Sequence, residues 1–156
     1  MSPQLNIQAV PLSEVPSNGQ LANSQETRPV VLVVDDERAI ADTLAVILSR
    51  SGFDVLTAYD GESALELVKT VPPELLLSDV MLGPGMNGIE LAIALLEETP
   101  GCKILLFSGH AATRDLLEDA REVGHNFTVL SKPLHPSDLL ARINQSLPAT
   151  RLSAKT

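Results

Sequence analysis

The sequence predicts one α/β domain built on a parallel sheet with helices on both faces. Three observations lead there. Short Val/Leu-rich runs alternate strictly with segments of helical periodicity, five times along the chain. Those runs are apolar at nearly every position, which suits strands buried on both faces. A chain of 156 residues is long enough for one domain with a real core and leaves little room for a second.

The elements follow in order. Residues 30–34, VVLVV, form the first strand. A helix over 37–51 carries Ile40, Leu44, Ile47 and Leu48 at helical spacing, and Gly52 suits its stop. FDVLTA, 53–58, is the second strand, followed by a helix over 61–70 with Ala64, Leu65 and Val68 inward. After the breaker Pro72-Pro73 comes the third strand, ELLLSD, 74–79. The helix over 88–98 turns Ile89, Ala92, Ile93 and Leu96 inward. KILLFS, 103–108, is the fourth strand, and 112–123 the next helix, with Leu116, Leu117, Ala120 and Val123 inward. FTVLS, 127–131, is the fifth strand, and the last helix, 136–147, carries Leu139, Leu140, Ile143 and Leu147. Right-handed crossovers leave few topologies open to such a chain. Sites in these folds form beyond the C-terminal ends of the strands, near the switch in strand order.

Residues 1–28 are rich in Pro, Ser, Asn and Gln and read as a flexible N-terminal tail. Residues 148–156, PATRLSAKT, read as a short C-terminal tail, so the folded unit is 29–147. Aromatics are only 3% and Trp is absent, so the core must be aliphatic. A net charge of -9 argues against nucleic acid and against anionic membrane as partners. The lone Cys102 permits no internal disulfide and reads as a small buried hydrophobe. The N-terminus has no signal-peptide pattern, and no apolar run approaches the roughly 20 residues of a membrane helix. The expectation is a soluble cytoplasmic protein.

The polar residues that end the strands carry the chemistry. The first strand ends in Asp35-Asp36, the third in Asp79, the fourth in Ser108, and the fifth in Ser131-Lys132-Pro133. A parallel sheet brings all these ends to one edge. Clustered carboxylates repel unless a cation neutralises them, and Mg²⁺ takes a few carboxylates while keeping room for phosphate oxygens. Lys132 would be a mobile point charge for a phosphoryl oxygen, and Ser108 a hydrogen-bond donor to another. A carboxylate in such a place can attack phosphorus and form an aspartyl-phosphate. Taken singly, each residue has a plainer reading. Asp35-Asp36 could favour a helix dipole, Asp79 could be a turn residue, and Ser108 and Lys132 ordinary loop residues. Their coincidence at one edge favours the shared site.

At these residues the sequence resembles the receiver domain of two-component response regulators. The elements are VLVVDDE, LLLSDVML, MNGIEL, ILLFSGHA and LSKP, in the family's order over about residues 29–147. The resemblance implies a flavodoxin-like (βα)5 fold with strand order 2-1-3-4-5. It implies Asp79 as phosphoacceptor, Asp36 as a direct Mg²⁺ ligand, Asp35 as a ligand through water, and the Met81 backbone carbonyl as a further ligand. It implies Ser108 as the hydroxyl that moves toward the phosphoryl group, Lys132 as its ion-pair partner, and a cis Lys132-Pro133 peptide. The donor would be a phosphohistidine on a sensor histidine kinase or a histidine phosphotransfer protein. Phosphorylation and hydrolysis would be self-catalysed, so the chain is not expected to be an enzyme with a separate substrate. About nine residues follow the last helix, so the expectation is a stand-alone receiver that signals through an unknown downstream protein. The fourth helix belongs to the surface many receivers use for partners, and a phosphorylation-dependent homodimer is among the assemblies implied.

Two features depart from the family pattern. In DVMLGPGMNG, Pro84 and Gly88 each stand one residue later than usual. Val129 occupies the place where the family commonly has Tyr or Phe, with Phe127 on the same face by parity, so the output would be read differently. His110, at the rim, is expected to affect phosphoryl lifetime, and His125 and His135 to be surface residues. Other readings are a receiver segment of a hybrid histidine kinase, a scaffold that keeps only the fold, or a Mg²⁺-dependent phosphohydrolase with Asp79 as nucleophile. Such hydrolases commonly carry a second Asp two residues after the nucleophile, where this chain has Met81.

Overall fold

The computed structural model describes residues 28–109 and 113–147. Strands β1 (Val30–Val34), β2 (Asp54–Ala58), β3 (Leu75–Asp79), β4 (Lys103–Ser108) and β5 (Thr128–Ser131) alternate with five helices. These are α1 (Arg38–Arg50), α2 (Gly61–Thr70), α3 (Gly88–Glu98), α4 (Thr113–Glu122) and α5 (Pro136–Ser146). Every element lies within one residue of its predicted span. All pairings are parallel, in the order β2-β1-β3-β4-β5. This is the flavodoxin-like order expected.

The alternation of side chains along each strand divides the core in two. Val31 and Val33 of β1, Leu75 and Leu77 of β3, and Leu105 and Phe107 of β4 face α1 and α5. Leu32, Val34 and Leu76 face the other way, onto Ala64 and Val68 of α2 and Leu91, Ala92 and Leu95 of α3. A third cluster, Val80, Ile89, Leu106 and Ala120, extends that second face toward α4. Val129 and Phe127 both pack against it, so they do share a face. β3 is buried throughout and β1 at every residue but Val30, and each buried Leu or Val contributes about 1.5–3 kcal/mol over an exposed one.

Three of the burial expectations need correction. On α3, Leu91 and Leu95 are wholly buried while Ile93 and Leu96 are half-buried. The helix packs between α2 and α4 and so buries a wider arc than one stripe. Val123, expected inward on α4, is 70% exposed. The helix ends at Glu122, and Gly124 turns the chain away with φ +97°. His125, expected at the surface, is half-buried and stacks on Phe127 with ring centroids 5.7 Å apart.

Arg28, assigned by composition to the tail, is joined to the fold. Its guanidinium donates to the carbonyls of Ser49 at 2.6 Å and Phe53 at 2.8 Å and pairs with Asp54 at 3.6 Å. A cation at the C-terminal end of α1 is favoured by the helix dipole. Cys102 is buried, and burial pushes its thiol up to about 12, which removes it as a nucleophile near neutrality. No described helix is long and apolar enough to cross a membrane. The two predicted tails, apart from Arg28, and His110 lie outside the described residues.

Candidate functional site

Four strand ends build the site. β1 runs directly into Asp35, whose N–H donates to the Ala58 carbonyl at 3.3 Å. β3 ends on Asp79, opposite Phe107 of β4. The ladder runs past both edges, Val80 N–H donating to Phe107 O and Lys132 N–H to Ser108 O. These bonds fix the backbone under each polar side chain before any of them meets a ligand. The Lys132-Pro133 peptide is cis.

The side chains converge as the strand ends predict. Carboxylate oxygens of Asp35, Asp36 and Asp79 lie within 4.8 Å of one another. The Lys132 ammonium stands 2.7 Å from Asp79 Oδ2 and 3.6 Å from Asp35 Oδ2. It also lies 5.0 Å from the Phe107 ring centroid. Asp36, Glu37, Asp79, Met81, Gly83 and Lys132 line a shallow cleft of about 340 Å³. Met81 N–H donates to Asp79 Oδ1 at 3.1 Å. Ser108 stands back from this lining, buried, with its hydroxyl donating to Thr113 Oγ1 at 3.1 Å.

Asp35 and Asp36 do not act as the cap of α1. That position is Glu37, and it makes no side-chain cap bond. Asp35 instead bonds locally, its Oδ1 accepting from Glu37 N–H at 2.9 Å. Its Oδ2 is buried and, among the described residues, has no hydrogen-bond donor. Burying a charged oxygen without a donor is costly unless a cation stands by. Burial is the main influence raising the Asp35 carboxyl above its ordinary 3.8, and the charges of Asp79 and Asp36 add to it. The Glu37 N–H and Lys132 pull the other way and do not win. For Lys132, burial works to lower the pKa, but the Asp79 hydrogen bond and the nearby carboxylates outweigh it, and the ammonium is held charged above 10.5.

Among the described residues, one ammonium therefore faces three carboxylates, and one carboxylate oxygen is buried without a hydrogen-bond donor. That donor set fits a small, hard divalent cation with oxygen ligands. The acidic residues named from sequence come together here with Lys132, whereas Ser108 is engaged elsewhere. Glu37 and Gly83 belong to the lining and were not singled out from sequence. Thr113 was missed as well, because a hydroxyl pair five residues apart leaves no periodic signal.

Gly88 sets the rear of the site. Its N–H donates to Val80 O at 2.7 Å, and it opens α3 behind Asp79. A Cβ at this position would overlap the Asp79 carbonyl oxygen and approach Val80 Cα to 3.0 Å. Asn87 and Glu90 form a capping box at the same helix start.

Comparison with known proteins agrees with this arrangement. Residues 31–144 match the response regulator receiver domain family. The DNA-binding response regulator MtrA of Mycolicibacterium smegmatis is 34% identical over 132 residues, 81% of this chain and 56% of its own length. The alkaline phosphatase synthesis transcriptional regulatory protein PhoP of Bacillus subtilis is 36% identical over 124 residues, 80% of this chain and 50% of its own. The chain thus spans about half the length of the curated relatives it matches. Among solved structures, chemotaxis protein CheY4 of Vibrio cholerae aligns with a TM-score of 0.68 and 28% identity, covering 78% of this chain and 100% of that one. A CheY-like receiver domain protein of Methanospirillum hungatei gives 0.68 and 27%, covering 83% and 98%. A five-stranded parallel sheet, an acidic cluster at its carboxyl edge and a family match over most of its length make this chain a member of the response regulator receiver domain family.

Proposed function

We infer that the chain is a phospho-aspartate switch, with Asp79 as the phosphoacceptor. The observation that carries this reading is the Lys132 ammonium spanning Asp79 and Asp35, whose buried Oδ2 has no hydrogen-bond donor among the described residues. An oxygen of Asp79 attacks phosphorus, the bond from phosphorus to the donor's imidazole nitrogen breaks, and an acyl phosphate forms. Lys132 then exchanges its contact with Asp79 Oδ2 for a phosphoryl oxygen. Ser108 leaves Thr113 and donates to another. Asp36, Asp79 and the Met81 carbonyl would hold Mg²⁺ directly and Asp35 through water, and the ion would neutralise the phosphoryl charge there. Hydrolysis returns the carboxylate when water attacks phosphorus and the bond to Asp79 breaks.

The chemical donor class is a phosphohistidine, on a sensor kinase or a phosphotransfer protein, in the cytoplasm. A downstream protein would read the phosphorylated state. The hydrolase reading loses support because Met81 lines the cleft where that mechanism needs an acid.

Intact mass after incubation with Mg²⁺ and acetyl phosphate tests the switch. The wild type should gain one phosphoryl group, the gain should vanish with a chelator, and Asp79→Asn should show none. A wild type that stays unmodified by acetyl phosphate and by a phosphohistidine protein would count against it.

A further inference from the structure

The loop between β3 and α3 carries Met81 and Gly83 into the cleft, and it is fastened to α2. At its near end, Gly83 has φ +78°, and a Cβ there would stand 3.4 Å from Asp36 Oδ2. At its far end, Met86 N–H donates to Glu62 Oε2 at 3.1 Å across 24 residues of sequence. The Met86 side chain fills the space a Cβ on Gly61 would take, with contacts of 3.0 Å. A Cβ on Gly85, φ +90°, would meet the Glu62 carboxylate at 3.0 Å.

The Glu62 contact is not needed to start either helix. Asp60 caps α2, accepting from Ser63 N–H at 2.6 Å. The Asn87 and Glu90 capping box starts α3. What the contact does hold is the loop backbone. Two glycines with positive φ leave that backbone many unfolded conformations, so ordering it needs an external anchor.

We propose that Glu62, seated against Gly85 and Met86, is a positioning residue for cation binding: it fixes the loop that presents Met81 and Gly83 beside Asp36 and Asp79. The proposal rests on the reading of the cleft as a Mg²⁺ site. Glu62 reaches the cation through the loop backbone and touches neither it nor the phosphoryl group.

The test is a titration of Mg²⁺ alone into the isotope-labelled full chain, followed through the amide signals of Gly83 and Asp36. Thermal unfolding without Mg²⁺ is measured alongside. Glu62→Ala should weaken Mg²⁺ binding about fivefold, the ratio one hydrogen bond is worth. Glu62→Gln loses the same charge but keeps an amide oxygen for Met86 N–H, so its affinity should stay within about twofold of wild type, well under that one-bond ratio. Equal affinity in wild type and Glu62→Ala overturns the proposal, even if the variant melts earlier, because the contact is then merely structural. Equal weakening in both variants also overturns it, since charge and not the loop bond would be responsible. A wild type that binds no Mg²⁺ overturns the reading of the cleft and this proposal together.

Discussion

Gly88→Ala should unfold about 10 °C below the wild type, a loss of about 3 kcal/mol for a domain of this size. Two effects oppose each other at this position. Alanine is the better helix former by about 1 kcal/mol, and Gly88 is the first residue of α3. Its Cβ, however, would overlap the Asp79 carbonyl oxygen and crowd the backbone at Val80. Both neighbours are main-chain atoms within a bonded ladder, so no side chain can turn aside to make room. The steric term wins, and relief comes only by moving α3 or the Asp79 backbone. Circular dichroism melts measure the effect. A variant as stable as wild type would mean that α3 slides without cost.

Asp35→Asn is expected to act in the opposite direction. Without divalent cation at neutral pH it should raise stability by about 1–2 kcal/mol. The asparagine Oδ1 keeps the Glu37 N–H bond. The buried charge disappears, and with it the repulsion from Asp79 and Asp36. Lys132 loses a contact at 3.6 Å but keeps the tighter one to Asp79 at 2.7 Å. On the proposed reading of the cleft as a Mg²⁺ site, the same substitution should sharply reduce stabilisation by Mg²⁺, since the acidic cluster loses a charge. The pH dependence has a definite sign. The folded-state pKa of Asp35 is raised, so the folded chain holds the proton more firmly than the unfolded one. The gap between variant and wild type should be small below pH 3.8, open as pH rises through the raised value, and stay constant above it. Urea midpoints of the two proteins across that range would show it. A gap that closes with rising pH would contradict the assignment.

Much of this was legible in the residues because it depends on local pattern. Runs such as VVLVV and KILLFS are apolar at successive positions, and only a strand covered on both faces has a use for that. Once the strands are parallel, Asp35, Asp36, Asp79 and Lys132 must share an edge, whatever the detailed packing. What stayed hidden depends on pairs distant in sequence or on neighbouring elements. Leu91 and Leu95 are buried because α3 has helices on either side, which its own periodicity does not report. Val123 reads as the last inward position of a helix, yet the helix stops one residue earlier. The Met86 bond to Glu62 joins the first turn of α2 to a distant loop that carries no hydrophobic period. Asp35 and Asp36 are indistinguishable as letters, but one is wholly buried and the other exposed.

Cys102 gives the molecule a chemical clock. The thiol lies at the start of β4, the end of the sheet away from the carboxylates, packed with Leu32, Leu76 and Leu95. Buried, and with its pKa pushed to about 12, it offers a soluble disulfide reagent almost no thiolate until the strands part. The rate of its labelling therefore counts openings of the far end of the sheet. Labelling should slow when Mg²⁺ is added, and the ratio of the two rates measures how far tightening at one end of a strand is felt at the other.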